Sequence, residues 1–279
     1  MASGKTYGNQ IRPSGQQNVD GFTSSDSPLA KFLYPLRWRD TVFINDDFTG
    51  AVLDTTKWVI AKIASNGTNF IPNSTQIPNG ILTGVTGAVA GDHVNIRSGT
   101  SWAGDYNCGM EIRWKVDNNV AMQWETGFND PMTSYTSTAT SAINDIDTPT
   151  ITNGTTDVAL IGMDTQQTLT TMAFITDGST TNMNSTKTNL GTRTPTNATY
   201  MTCRVQLAQT ASAVASSAAY VLDNNNALQE SASHGALIGS QIKGDVLLEA
   251  RFYMEAATTT AETVDIDYIS IWQDRFKAL

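Results

Sequence analysis

Histidine and cysteine are nearly missing from this chain: His93, His234, Cys108 and Cys203 are all that its 279 residues hold. That excludes a disulfide-stapled secreted scaffold. Since neither cysteine stands in a CxxC or Cys/His spacing, it excludes a thiolate metal centre as well. Charge is scarce too, at 15 %, and 17 Lys and Arg are outnumbered by 26 Asp and Glu, for a net charge of −9. Bulk charge of that sign argues against nucleic acid or an anionic membrane as a partner. No apolar run approaches the roughly 18 residues of a membrane span, and the opening residues lack the apolar centre of a secretory signal. The expectation is a soluble protein made in a cytosol, without cofactor or metal.

What the chain does have is Thr, Asn, Ser, Ala and Gly, a composition suited to many short strands joined by polar turns and poor in helix-building blocks. Forty per cent hydrophobic residues over this length support one large β domain.

Residues 1–40 differ from the rest. Gly4, Gly8, Pro13, Gly15, Gly21 and Pro28 break every period, so no core forms there. Lys5, Arg12, Lys31, Arg37 and Arg39 outweigh Asp20, Asp26 and Asp40, which gives this arm a charge of +2 and leaves −11 for residues 41–279. Within the arm, Phe32, Leu33, Tyr34, Leu36 and Trp38 make an apolar, aromatic patch too large for a solvated linker. It is expected to dock, either on its own domain or on a neighbouring subunit.

From Thr41 onward strand signals recur every 8 to 15 residues. Cys108, Met110, Ile112, Trp114 and Val116 fall on one face of a period-2 pattern, with Glu111, Arg113, Lys115 and Asp117 on the other. Val120, Met122, Trp124, Thr126 and Phe128 repeat the pattern after Asn118-Asn119, which predicts a β-hairpin. Met201 to Leu207 and Leu248 to Met254 alternate likewise, so Cys108 and Cys203 are expected in the core as small hydrophobes. Further strands are expected at Trp58–Ala64, Gly80–Thr86, His93–Ser98, Asp157–Met163, Leu169–Thr176, Ser216–Leu222 and Val264–Trp272. Ala208–Ala219 has no apolar stripe and reads as a hairpin loop, and the Thr/Ser-rich stretches Met132–Thr156 and Asp177–Thr199 read as long surface loops.

Two segments resemble the concanavalin A-like lectin and glucanase superfamily, which includes laminin G-like modules. Asp46-Asp47-Phe48-Thr49-Gly50 followed by Leu53-Asp54-Thr55-Thr56-Lys57-Trp58 is similar to the opening of such domains. Val264-Asp265-Ile266-Asp267-Tyr268-Ile269-Ser270-Ile271-Trp272-Gln273 is similar to their closing strand. The resemblance implies an all-β, two-sheet jelly-roll sandwich over residues 41–279 behind the extended arm. Its first and last strands, at Asp46–Trp58 and Val264–Gln273, are expected to meet.

Catalysis does not come with that resemblance. The hydrolases of the superfamily carry an E-x-D-x-(x)-E run that sets two carboxyls at the separation glycoside hydrolysis needs, and no such run exists here. Glu111, Glu125, Glu230, Glu249, Glu255 and Glu262 are dispersed. The closest acidic pairs are Asp145/Asp147, in a Thr-rich loop, and Asp265/Asp267, in the closing strand. A serine-nucleophile elbow and a phosphate-binding Gly-rich loop are also missing. Asp145 and Asp147 are read as solvated loop acids, not as Ca²⁺ ligands.

Two functions follow as expectations. The first is a non-enzymatic structural protein of a bacteriophage virion, a capsid decoration (cement) protein. Asp157–Asp164 and Met172–Gly178 look like strand pairs of sandwich proteins in tailed-phage genomes. Lys5, Arg12, Lys31, Arg37 and Arg39 would meet acidic patches of a major capsid protein. Phe32, Leu33, Tyr34, Leu36 and Trp38 would fill apolar seams, and a homotrimer on a local threefold would add multivalent grip. The second is a carbohydrate-binding module or tail-associated adhesin, with Trp102, Tyr106, Tyr135 and Tyr253 stacking on a surface glycan.

Overall fold

A computed structural model describes residues 41–63, 67–73, 80–135, 141–143, 146, 149, 154–166, 171–178, 187–191, 195–211, 214–234 and 242–275. The arm, with its basic and aromatic residues, lies outside the described residues, as do Asp145 and Asp147. Fifteen strands follow one another: β1 (Thr41–Asp46), β2 (Trp58–Ile63), β3 (Thr68–Pro72), β4 (Leu82–Val85), β5 (His93–Ser98), β6 (Gly109–Val116), β7 (Met122–Asn129), β8 (Asp157–Asp164), β9 (Ala173–Gly178), β10 (Lys187–Asn189), β11 (Met201–Ala211), β12 (Val214–Leu222), β13 (Leu228–His234), β14 (Glu249–Ala256) and β15 (Thr263–Asp274). The described helical structure is one 3-10 turn, Gly104–Tyr106.

The strands form two antiparallel sheets. The first runs β13-β12-β11-β6-β15-β4-β3, with β1 as an eighth strand on β15, and the second runs β10-β9-β8-β7-β14-β5-β2. Period-2 alternation sends one face of each sheet into a shared core. Ile112, Trp114, Val116, Val205, Ile266 and Ile271 come from the first sheet, and Ile96, Trp124, Phe128, Ile161, Phe174 and Phe252 from the second. Cys108 and Cys203 are both buried there as free thiols. Burial pushes the Cys203 thiol up to about 12. This is the two-sheet, concanavalin A-like jelly roll that the sequence motifs implied.

The closing motif is β15, and its partner is β1, Thr41 opposite Asp274 and Asp46 opposite Ile269. The expected opening strand at Asp46–Trp58 is instead mostly a clasp that carries the chain from the first sheet to the second. One oxygen of Asp46 accepts from the Phe48 amide at 3.0 Å and the other from the Trp58 indole at 2.8 Å. Phe48 takes a positive φ of 53° and is buried, 6.2 Å from the Trp58 ring. Gly80 packs so close beneath this turn that a Cβ would stand 2.4 Å from the Phe48 carbonyl.

The predicted hairpin is absent. β6 pairs with β11 and β15, and β7 with β14 and β8, so the turn at 117–121 is an arch between sheets. The apolar faces of β6 and β7 look at each other across the core instead of lying side by side. The Ala/Ser-rich stretch is also not a loop: β11 and β12 pair from Thr202 opposite Leu222 to Ala211 opposite Val214. Alanine and serine suit a strand whose neighbours pack tightly.

Candidate functional site

The outward face of the second sheet is the most polar buried surface among the described residues. On β14, Ala250, Phe252 and Met254 enter the core, so Glu249, Arg251 and Tyr253 point the other way, all fully buried. On β7 the same rule turns Gln123, Glu125 and Asn129 outward, and on β5 His93, Asn95 and Arg97. Register sets Tyr253 between Glu125 and Asn95, and Arg251 opposite Arg97.

Two cations side by side in a buried row need counter-charges, and two glutamates supply them. Arg97 donates to Glu249 at 3.0 Å, and Arg251 lies 3.7 Å from Glu125 with both side chains fully buried. Glu249 also accepts from Asn129 at 3.2 Å and from the Tyr135 hydroxyl at 2.6 Å. Burial moves the Glu125 carboxyl upward against the opposing pull of Arg251 and two backbone amides, while burial and the Glu249 carboxylate push the Tyr135 phenol up to about 12. On the same face Glu255 is raised by burial, and Tyr253 donates to it.

The chain itself covers this face. Ala142 and Ile143 amides donate to the two Glu125 oxygens at 2.8 and 3.0 Å, and Gln123 donates to the Ile143 carbonyl at 3.0 Å. Met132, Ala142, Ile143 and Ile146 pack on Val158, Leu160 and Ile175 as a second apolar cluster. The Arg97 guanidinium lies 3.7 Å over the Tyr135 ring. The Thr/Ser-rich stretch expected as a surface loop is therefore, where described, part of the folded body. Glu125 and Glu249 have their oxygens taken up by protein donors. Asn95 is an exception, since both its amide atoms are buried without a partner, a cost of about 1–3 kcal/mol.

The four aromatic candidates are not brought together. Trp102 is 2 % exposed, its indole donating to Ser98 at 2.8 Å, and Tyr253 is 0 % exposed. Neither offers a ring face to a sugar, a correction that follows from their core-ward and covered positions. Tyr135 is half-buried but held between Arg97 and Glu249. Tyr106 is half-buried on the 3-10 turn, away from that face. In the closing strand, Asp265 binds Lys115 at 3.4 Å and accepts from Thr83 at 2.6 Å, and Asp267 pairs with Arg113. Among the described residues, no three His, Cys, Asp or Glu side chains converge on a point where a metal would sit.

The ion-pair face was not read from the sequence. Its signal was the placing of Glu125, Glu249 and Arg251 within strands whose alternate residues are mostly apolar; nothing local showed that Met132, Tyr135, Ala142 and Ile143 pack over them.

No family model matches the chain, and no curated protein matches it in sequence. Among solved structures it is similar to a protein of unknown function from Shewanella oneidensis MR-1, at 10 % identity and TM-score 0.51, covering 96 % of this chain and 98 % of that one. It is also similar to the carbohydrate recognition domain of Emp47p, at 8 % identity and TM-score 0.48 over 84 % of this chain and 97 % of that one. A third is the exoplasmic/lumenal domain of VIP36 in its Ca²⁺/Man3GlcNAc-bound form, at 8 % identity and TM-score 0.48 over 84 % and 92 %. At such identities the likeness is one of fold.

Proposed function

We propose that a lectin-like sandwich serves here as a non-enzymatic structural protein of a bacteriophage virion, a capsid decoration protein held to the major capsid protein by its arm. The observation that carries the reading is the closed face of the second sheet. Where a ligand cleft would need open polar groups, this chain has two carboxylates paired with the buried Arg251 and the partly buried Arg97, under a cover that includes its own Met132, Tyr135, Ala142 and Ile143. Such a face stiffens a body and leaves attachment to other parts of the molecule. The arm, with +2 against −11 and five apolar or aromatic residues within Phe32–Trp38, is suited to attachment.

Every described strand of both sheets lies within 41–274, so residues 41–279 should fold without the arm. Cosedimentation with intact particles is the test. The full chain is expected to bind at saturable stoichiometry, and the folded 41–279 fragment is expected to lose that binding. Undiminished binding by the fragment would refute the reading. Saturable binding of a glycan by the fragment, measured on an array and by titration, would replace it with the carbohydrate-binding one.

A further inference from the structure

At the end of the first sheet near Met201 a shallow open cleft of about 70 Å³ lies beside the second sheet's β8–β9 connection. Its floor is apolar, with Met172 from the second sheet's β8–β9 connection and Met201, Val221 and Leu222 from β11 and β12. Tyr200 forms one wall. Arg113 and Lys115 lie 4.4 and 5.0 Å over its ring, and each is neutralised by an aspartate of β15. Asp223 stands on the rim, held by the Gln229 amide at 2.9 Å. An apolar floor, an aromatic wall and a rim carboxylate suit an aromatic side chain flanked by cations.

The chain holds one such segment outside the described residues, Phe32-Leu33-Tyr34-Pro35-Leu36-Arg37-Trp38-Arg39, in which arginines bracket the tryptophan. Strand register decides which copy's cleft its Leu36–Trp38 part can enter. The arm joins β1 at Thr41, opposite Asp274, whereas Met201 lies opposite Trp114 and Trp114 opposite Ile266. Thr41 and Met201 are therefore separated by about eight residues along β15 and about three strand spacings across the sheet, roughly 30 Å in all. Fully extended, the chain from Thr41 carries Trp38 at most about 10 Å and Leu36 about 17 Å.

We infer that the Leu36–Trp38 segment of one copy seats in the Met201/Leu222 cleft of another. The contact is heterologous, with arm on one side and cleft on the other, so it closes by reciprocal exchange in a pair or around a ring; three copies would make the threefold assembly expected of a decoration protein. The inference rests on the reading of the arm as the attachment device and adds that it first links the copies to one another.

Thiol crosslinking tests it. Cys108 and Cys203 are buried, so new surface cysteines report alone. A Pro35→Cys chain, which keeps Trp38, mixed with a Thr199→Cys chain should form a disulfide-linked pair under mild oxidation, and the Pro35→Cys/Thr199→Cys double variant should link between molecules. Light scattering should show the full chain as a multiple of its 30.0 kDa mass and Trp38→Ala as a monomer with an unchanged melting temperature. Crosslinking confined to one molecule, or Trp38→Ala assembling as the full chain does, would overturn the inference. So would saturable binding of mannose, glucose or galactose by the 41–279 fragment that shifts the Met172 and Met201 methyl resonances. If Trp38→Ala stays assembled while removal of residues 1–40 still abolishes particle binding, the trans contact fails and the attachment role stands. Particle binding that survives the removal refutes the attachment role itself.

Discussion

The indole rings of Trp114 and Trp124 meet edge to face with centroids 4.7 Å apart, one from each sheet, and both are fully exhausted of solvent contact. They join β6 to β7 across the core at the level where the sequence suggested a side-by-side hairpin. Trp114→Ala should cost about 3–5 kcal/mol in urea denaturation, since it empties a large volume that the two sheets cannot close. Trp124→Ala should cost a similar amount, and the double variant should fall short of the sum by about 0.5–1.5 kcal/mol. Full additivity would mean that the rings do not touch.

Glu111 and Arg204 form a second buried pair, on the outward side of the first sheet, at 2.6 Å. Tyr268 donates to the other Glu111 oxygen at 2.7 Å, and burial with the Glu111 charge drives its phenol far upward. Glu111→Ala strands a guanidinium without its counter-charge and should lower stability by about 3–5 kcal/mol. Glu111→Leu combined with Arg204→Met should recover most of that loss, measured by the same denaturation.

Glu262 is buried, and burial together with the Asp117 carboxylate raises its pKa from 4.5 to about 7. One of its oxygens has no partner. Because the folded state holds this proton longer than the unfolded state, stability should fall as pH rises from about 4.5 and level off above about 7. Glu262→Gln should flatten that part of the profile and be the more stable protein at pH 8. A melting-temperature series across this range for both proteins tests it, and parallel profiles would contradict the assignment.

Gly127 stands in β7 opposite Arg251 and Leu160 with φ of +138°, and a Cβ there would lie 2.3 Å from the Ala159 carbonyl. Backbone strain alone should make Gly127→Ala destabilising by about 1–3 kcal/mol, with the clash added to it. Thermal unfolding of the variant measures the total.

Alternation told which residues of β6, β7, β11 and β14 face the core, because a buried face leaves a period of two in any sequence. It could not tell which strands are neighbours. Val116 and Met122 carry the same signal whether their strands lie side by side or face to face, and a short Asn-Asn turn serves both. The closing motif at Val264–Gln273 was legible through its resemblance, whereas the irregularity between Ile266 and Tyr268, which brings Ile269 and Ile271 into the same core as Val264 and Ile266, breaks the strict alternation a sequence shows. Ala208–Ala219 was not, because alanine and serine carry little apolar contrast. The outward faces misled for another reason: Glu125, Glu249 and Arg251 look solvated by pattern, and among the described residues the sequence-distant Met132, Tyr135, Ala142 and Ile143 contact them. Trp102 looked available because no strand pattern assigned it to the core, yet Leu248 bridges to its backbone and the Ser98 hydroxyl accepts from its indole.

The pairing of Thr41 with Asp274 brings the two ends of the described sandwich to one spot. Whatever is joined after residue 275 emerges beside the root of the arm. A reporter fused there would sense events at the arm, and a short linker from 275 to 41 would let the chain be reopened at another loop without breaking either sheet. Reopening it between Asp223 and Ala227 would plant the arm beside the Met201 cleft, turning a link between copies into one within a copy.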